Sequence, residues 1–130
     1  MQALLLEKAW ERTISDADRS MIIEAFQEAV LSDKPAVQFS SLWQAMNHKK
    51  ELLVTVIIHN IGKEAISFTD KTIKYSVAAK TAAKHTFSLP FFIQGETSMP
   101  WTFIFPKESI FFWPNPEKGK LELAKSYNPD

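Results

Sequence analysis

The chain has 130 residues, of which 45% are hydrophobic and 12% aromatic, with fifteen basic and fifteen acidic side chains and no cysteine. This length and apolar content are typical of one folded domain with a sizeable core, and they argue against disorder. The balanced charge argues against nucleic acid as a partner, and the lack of cysteine excludes disulfides and thiolate metal sites.

The N-terminal residues do not resemble a secretion signal. Leu4, Leu5 and Leu6 form a short apolar run, but Glu7 and Lys8 interrupt it. No uncharged apolar run approaches the roughly 18 residues that a membrane helix needs. The sequence therefore predicts a cytoplasmic protein without an integral membrane segment.

The first predicted element is a helix that begins at Ser15. The Ser15 hydroxyl can cap the first free amides, and Asp18 occupies the reciprocal position of a capping box. Apolar residues recur at steps of three and four and are predicted to form a buried stripe along the helix: Ile22, Ala25, Phe26, Ala29 and Val30. Pro35 ends the helix because proline lacks a donor and disfavours the α conformation before it. Residues 1–34 are thus assigned to an N-terminal segment and one helix.

Beyond Pro35 the hydrophobic period changes from helical to alternating. Residues 37–45 form a predicted strand, and residues 47–50 turn the chain into the next one. That next strand, residues 52–60, is apolar on both faces and uncharged. It is predicted to be a central strand that is covered on both sides.

The rest of the chain alternates in shorter runs. Further strands are predicted at residues 65–68, 72–77, 85–89, 101–105 and 121–124, with a loop that enters a strand at residues 78–83. Pro100 and Pro106 are expected to bound the strand between them. About seven short strands after one helix predict a mainly β fold, an immunoglobulin-like antiparallel β-sandwich over residues 35–125 within a single domain of residues 1–130.

The histidines suggest no catalytic or metal motif. His48, His59 and His85 lack the spacing of a metal site or a catalytic triad, and there is no glycine-rich phosphate loop. The sequence predicts a protein that is not an enzyme and that has no catalytic, cofactor or metal site. Two alternatives stay open: a small hydrolase in which His59 or His85 meets Ser or Asp only in the fold, and an exported carbohydrate-binding module.

A mildly basic segment contains four lysines: Lys71, Lys74, Lys80 and Lys84. An exposed sheet face that keeps an edge soluble is the simplest interpretation of this pattern.

The aromatic residues exceed what alternation alone would bury. The candidates for an exposed, protein-binding surface are Phe91, Phe92, Phe111, Phe112 and Trp113, whereas Trp101 and Phe103 are assigned to the core. Each large apolar side chain left in water forgoes roughly 1.5–3 kcal/mol of burial, so a partner chain or a second copy is expected to cover them. The alternative is that a two-sheet core absorbs them all.

Four stretches resemble one known family: residues 10–19, 52–60, 87–90 and 98–106. The most specific is Met-Pro-Trp-Thr-Phe-x-Phe-Pro at residues 99–106. Together they resemble the SLAP domain of Bacillus accessory Sec system S-layer assembly proteins, over roughly residues 10–110.

The resemblance implies a non-enzymatic, cytosolic or membrane-associated factor that helps the accessory Sec ATPase to export S-layer proteins. That ATPase or an exported S-layer protein is therefore the implied partner. The assembly proteins carry the module twice, whereas this sequence holds it once. Both a stand-alone relative with another client and a homodimer that rebuilds the two-domain unit are compatible with this difference. The resemblance transfers no site residue.

Overall fold

A computed structural model describes residues 2–114 and 119–124. Within them lie nine strands, two α-helices and one 3-10 helix. In chain order these are β1 Ala3–Leu4, α1 Lys8–Thr13, α2 Asp16–Glu28, β2 Val37–Met46, β3 Leu52–Asn60, β4 Ile66–Ser67, β5 Lys71–Val77, β6 Lys80–Phe87, β7 Phe92–Ile93, β8 Thr97–Phe105, the 3-10 helix Lys107–Ser109 and β9 Lys120–Leu123.

The strands form a four-stranded sheet in the order β1-β8-β3-β2, a three-stranded sheet β6-β5-β9 and a small β4-β7 ladder. The main core lies between the two larger sheets, and a second cluster lies between the helices and the four-stranded sheet. The predicted mainly β fold is confirmed, and the strand predicted at residues 121–124 corresponds to β9, at an edge of the three-stranded sheet. Immunoglobulin-like connectivity stays a prediction, and one pair, β1 with β8, is parallel. The predicted end of the sandwich at residue 125 lies outside the described residues.

Helix α2 begins where the sequence predicts it. The Ser15 hydroxyl accepts a hydrogen bond from the Asp18 amide at 3.0 Å, which satisfies one free donor of the first turn. Ile22 is fully buried against Leu42 and Ile57 of the sheet. The predicted stripe is wrong for Val30, which is 94% exposed. The helix ends at Glu28, and the backbone turns extended at the next residue, so the helical period no longer applies to Val30.

Strand β1 and helix α1 are absent from the sequence prediction. The Glu7 carboxylate caps α1 by accepting from the Ala9 amide at 2.9 Å. Leu4, Trp10 and Ile14 all pack against the cluster beneath the helices. Elements of two and six residues are too short to display a hydrophobic period, which explains why the sequence pattern misses them.

Strand β3 is the predicted central strand. It pairs antiparallel with β2 on one edge and with β8 on the other, and every residue except Leu53 is buried. Val54 and Val56 face the main core, whereas Ile57 faces the helices. The strand is therefore covered on both faces, as its uncharged run predicts.

A β-bulge in β2 changes which residues face the helices. The register shifts between Ser41 and Trp43, which leaves Leu42 as the extra residue. Leu42 and Trp43 consequently both pack beneath the helices, whereas Phe39 faces the main core.

Pro100 lies inside β8, opposite Ile57, so the prediction that it bounds the strand is wrong. The Ser98 carbonyl accepts from the Leu5 amide, so Ser98 points its backbone groups toward β1. Two residues later, the Pro100 nitrogen points to the same side, past the end of β1. A missing N–H costs no ladder hydrogen bond at that position.

Residues 78–83, which the sequence predicts as a loop that enters a strand, are a two-residue hairpin turn and the start of β6. Val77 pairs with Lys80, and both turn residues have positive φ, 52° for Ala78 and 67° for Ala79. A residue with a Cβ costs about 1–2 kcal/mol in the left-handed region. Alanine therefore occupies two positions that favour Asn and Gly.

Asn60, at the end of β3, holds two loops together. Its side-chain amide donates to the carbonyls of Glu64, Ile93 and Gln94 at 3.0–3.1 Å, and its Oδ1 accepts from the Gly62 amide at 3.1 Å. The side chain is fully buried and fully paired, so it fixes the loop after β3 against the turn before β8.

Replacing the alanine turn tests the strain at residues 78 and 79. The double variant Ala78→Asn/Ala79→Gly is expected to raise the free energy of unfolding by about 1–2 kcal/mol, because both new residues tolerate positive φ. Urea unfolding measures this change. The control Ala45→Gly, on an exposed strand position, is expected to lower the free energy of unfolding. A double variant that is less stable than the wild type would show that the two alanines are not strained.

Truncating Phe103 tests the main core. Its ring lies within 5.0–6.1 Å of the rings of Phe39, Phe68 and Phe87 and is buried. Phe103→Ala is expected to lower the free energy of unfolding by about 3–5 kcal/mol. The neighbouring Ile104 is exposed, so Ile104→Ala is the matched control and is expected to cost far less. Similar losses for both variants would show that Phe103 is not a core residue.

Candidate protein-binding surface

Three consecutive aromatic side chains, Phe111, Phe112 and Trp113, are exposed by 66%, 39% and 41%. We call them the aromatic segment. Their backbone is held in place, because the amides of Phe111 and Phe112 both donate to the Ala82 carbonyl of β6, at 2.7 and 3.3 Å. Ile110 also forms a β-bridge with Ala83. The aromatic segment therefore presents its rings to solvent from a fixed backbone on the edge of β6.

The other two predicted surface residues lie on and next to β7. Phe92 is 62% exposed and pairs with Ser67 of β4. Phe91 is half-buried, packs against the main core and makes an edge-to-face contact with Trp101 at 5.1 Å between ring centroids. Four of the five predicted residues are thus exposed, and protein binding by any of them stays a prediction.

Lysines lie beside the aromatic segment. Lys80 and Lys84 are exposed on β6, on either side of the residues to which the segment is bonded, and Lys107 begins the 3-10 helix that precedes it. No other described residue forms an ion pair with any of the three. We call these three residues the lysine rim.

The four lysines of the predicted basic segment lie on the three-stranded sheet but do not share one face. Lys74 and Lys84 are on its outer face, whereas Lys71 and Lys80 are exposed opposite Phe87 and Val77, which pack against the core. Lys74 stands directly opposite Lys84 and pairs with Glu122 of β9 at 3.1 Å. A shallow polar depression of about 380 Å³ lies alongside, lined in part by Ser76, Thr81 and Lys120. On the other side of the molecule an apolar groove of about 410 Å³ separates Trp10 of α1 from Trp43.

His59 forms a buried polar network that spans the four-stranded sheet. Its Nε2 lies 2.8 Å from the Ser40 hydroxyl of β2, and its Nδ1 lies 2.7 Å from the Ser98 hydroxyl of β8. Gln2 extends the network, since its side-chain amide donates to Ser98 Oγ at 3.0 Å. The imidazole has no exposed surface, and this desolvation lowers the pKa of His59 from 6.5 to about 4. His59 is therefore neutral at pH 7, with one ring nitrogen as donor and the other as acceptor.

The remaining histidines are separate from this network. His48 is exposed in the turn between β2 and β3, and His85 is half-buried on β6, in edge-to-face contact with Phe87 at 5.0 Å. In the hydrolase alternative, His59 does meet serines in the fold, but its ring is sealed from solvent. Across residues 2–114 and 119–124, no three His, Asp or Glu side chains are grouped so that they could hold a metal ion.

Sequence reasoning missed the partners of His59. Ser40 is 19 residues away and Ser98 is 39 residues away, and only the pairing of β3 with both neighbouring strands brings them together. The sequence offers one indication. His59 shares a face of β3 with Thr55 and Ile57, and a central strand that is covered on both sides would bury that face.

Comparison with protein families decides the family of this chain. A family model described as the SLAP domain matches residues 4–125, nearly the whole sequence and in a single copy. The chain belongs to the SLAP domain family. The match includes the aromatic segment, all three residues of the lysine rim and the His59 network apart from Gln2. Searches of curated proteins and of solved structures found no match for this SLAP domain.

The helices of this SLAP domain are short and carry charged side chains. Within the described residues, none of them has the length and apolar character that crossing a bilayer requires.

The buried His59 predicts a pH-dependent stability. The unfolded chain takes up a proton on this residue below about pH 6.5, whereas the folded protein does so only near pH 4. The free energy of unfolding is therefore expected to fall with decreasing pH, by about 2 kcal/mol between pH 7 and pH 5 from this residue. Urea unfolding across this range measures the loss.

The matched pair His59→Gln and His48→Gln separates this effect from other titrations. His59→Gln is expected to flatten the profile between pH 7 and 5, whereas exposed His48→Gln is expected to keep the wild-type slope. An unchanged slope in His59→Gln would contradict the assignment.

Proposed function

We propose that this SLAP domain is a non-enzymatic protein-binding module that acts in the cytoplasm, where it assists the accessory Sec system in exporting S-layer proteins. Its partner is the accessory Sec ATPase or an S-layer protein on its way to export. Membership of the SLAP domain family supports the setting, and the exposed aromatic segment supports the mode of action.

The single observation that carries the proposal is the exposure of Phe111, Phe112 and Trp113 together. Large apolar side chains left in water cost a monomer roughly 1.5–3 kcal/mol each relative to burial, so three in a row favour a surface that a partner covers. Tryptophan is also among the residues that most often dominate the free energy of binding at protein interfaces.

The backbone of the aromatic segment suits it to binding. Because Ala82 of β6 holds the amides of Phe111 and Phe112, the rings start from a defined position. Ser109 strengthens this arrangement, since its hydroxyl donates to the Pro106 carbonyl at 2.7 Å in the 3-10 helix just before. A pre-organised surface loses less conformational entropy when a partner binds.

The chemistry of the segment favours contact over catalysis. Phenylalanine and tryptophan bring no nucleophile and no group that titrates near pH 7, and the charged residues just before them are Lys107 and Glu108. We therefore assign the segment a role in recognition.

The double variant Phe111→Ser/Trp113→Ser tests the proposal. Its affinity for the purified accessory Sec ATPase or for a purified S-layer precursor is expected to fall by at least about tenfold, because the apolar contact is lost. Its thermal unfolding midpoint is expected to change little, because both side chains are already exposed. Calorimetric titration and thermal unfolding measure the two quantities.

Met46→Ser is the control, since Met46 is 58% exposed but lies on β2, in the four-stranded sheet and outside the candidate surface. It is expected to keep wild-type affinity. A wild-type protein that binds neither purified partner would refute the proposed partners. A large drop in the unfolding midpoint of the double variant would show that the segment belongs to the core.

A further inference from the structure

Charge is distributed unevenly over a chain whose formal net charge is zero. Residues 2–33, which form β1 and both helices, carry seven carboxylates and three basic side chains. Strands β5, β6 and β9 together with residues 107–113 carry six lysines and two glutamates. The helical layer is therefore acidic, and the three-stranded sheet together with the aromatic segment is basic.

The outward side of α2 combines carboxylates with an exposed apolar side chain. Ala17, Met21, Glu24 and Glu28 recur at steps of four, three and four residues, which places them along one strip of the helix. All four are exposed, and Met21 is 47% exposed. Glu24 and Glu28 have no ion-pair partner within residues 2–114 and 119–124.

The aromatic segment with its lysine rim is the chemical complement of this strip. It offers three exposed rings for Met21 and Ala17, and the exposed ammonium groups of the lysine rim for Glu24 and Glu28. Lys80 and Lys84 start from opposite faces of β6, so one of the two meets the strip directly. Glu108, on the same 3-10 helix as Lys107, is the acidic exception. Matched charges of this kind steer association and fix the orientation of the partners more than they add affinity.

The two surfaces cannot meet within one molecule. Helix α2 packs on one face of the four-stranded sheet, and the three-stranded sheet, with the aromatic segment on its β6 edge, packs on the opposite face. Two layers of side chains and a sheet separate them.

We infer that the aromatic segment and lysine rim of one copy bind the outward strip of α2 on a second copy. The two surfaces differ, so the contact is heterologous: each copy of a bound pair keeps one free surface, the pair offers one of each kind, and association continues head to tail. The contact is weak, since its charges are exposed, and it weakens further as salt rises.

This inference rests on the proposed function, because the same aromatic segment binds the export partner. A second copy then acts as a competitor for that surface. Self-association would cover the rings when the partner is absent, and partner binding would release single copies.

Sedimentation of the intact protein is the first test. Between about 10 μM and about 500 μM the weight-average mass is expected to rise without levelling at a dimer. Raising NaCl from about 0.05 M to about 0.5 M is expected to weaken the association several-fold.

Two surface variants make the test specific. Phe111→Ser/Trp113→Ser lacks one surface, and Glu24→Lys/Glu28→Lys lacks the other, while a lysine at position 28 suits the C-terminal turn of α2. Each variant alone is expected to stay monomeric. An equimolar mixture is expected to form one-to-one dimers and nothing larger, because each copy then retains only one functional surface.

Three results would overturn the inference: a wild-type protein that stays monomeric throughout, a mass that levels at a dimer, or mixed variants that do not pair although both unfold cooperatively like the wild type.

If the wild type stays monomeric but its capture of the export partner still depends on Phe111 and Trp113, the inference fails and the proposed function stands. If the wild type self-associates as expected but captures neither export partner, the contact between copies stands and the proposed function fails.

Discussion

The structure depends on the burial of a single strand, β3, on both of its faces. Val54 and Val56 contact the second sheet, Ile57 contacts the helices, and β2 and β8 satisfy the backbone on both edges. A strand in this position tolerates polar side chains only when they are paired. The three on β3 meet this condition, since the Thr55 hydroxyl lies 2.8 Å from that of Thr102, His59 bridges two serines and Asn60 bonds four backbone groups. Every layer of the fold is thus attached to the same nine residues.

Much of this architecture can be predicted from periodicity alone. Alternation identifies β2, β3 and β5 because side chains on one face of a strand must recur at every second residue, and Ser15 marks the start of α2. The remaining features depend on contacts between residues that are distant in sequence. Leu42 becomes a bulge residue where Ile22 and Ile57 can bury it, and Pro100 is tolerated in β8 because β1 ends before it. At residues 78–83 the sequence predicts a loop that enters a strand but not the tightness of the two-residue turn, since alanine carries no turn preference.

The candidate surface shows a similar limit. An excess of aromatic residues is visible in the sequence, but which of them are exposed is decided by backbone direction. Phe91 and Phe92 are adjacent, yet one packs against Trp101 and the other points to solvent. In the aromatic segment the chain follows a 3-10 helix and is bonded to Ala82, so strand alternation does not apply. No local pattern could foretell that bond, which joins residues on β6 to others almost thirty positions later.

The order in which the chain is synthesised gives the position of β3 a further consequence. Its neighbour β2 leaves the ribosome just before it, but its other neighbour, β8, emerges only after residues 61–96 have been made. Until then the most apolar strand of the nascent chain keeps one edge unpaired, and open edges of this kind recruit other extended segments. The sheet closes only once Phe105, the partner of Leu52, has emerged. Cotranslational handling by chaperones would therefore matter most for this protein while that intervening stretch is being translated.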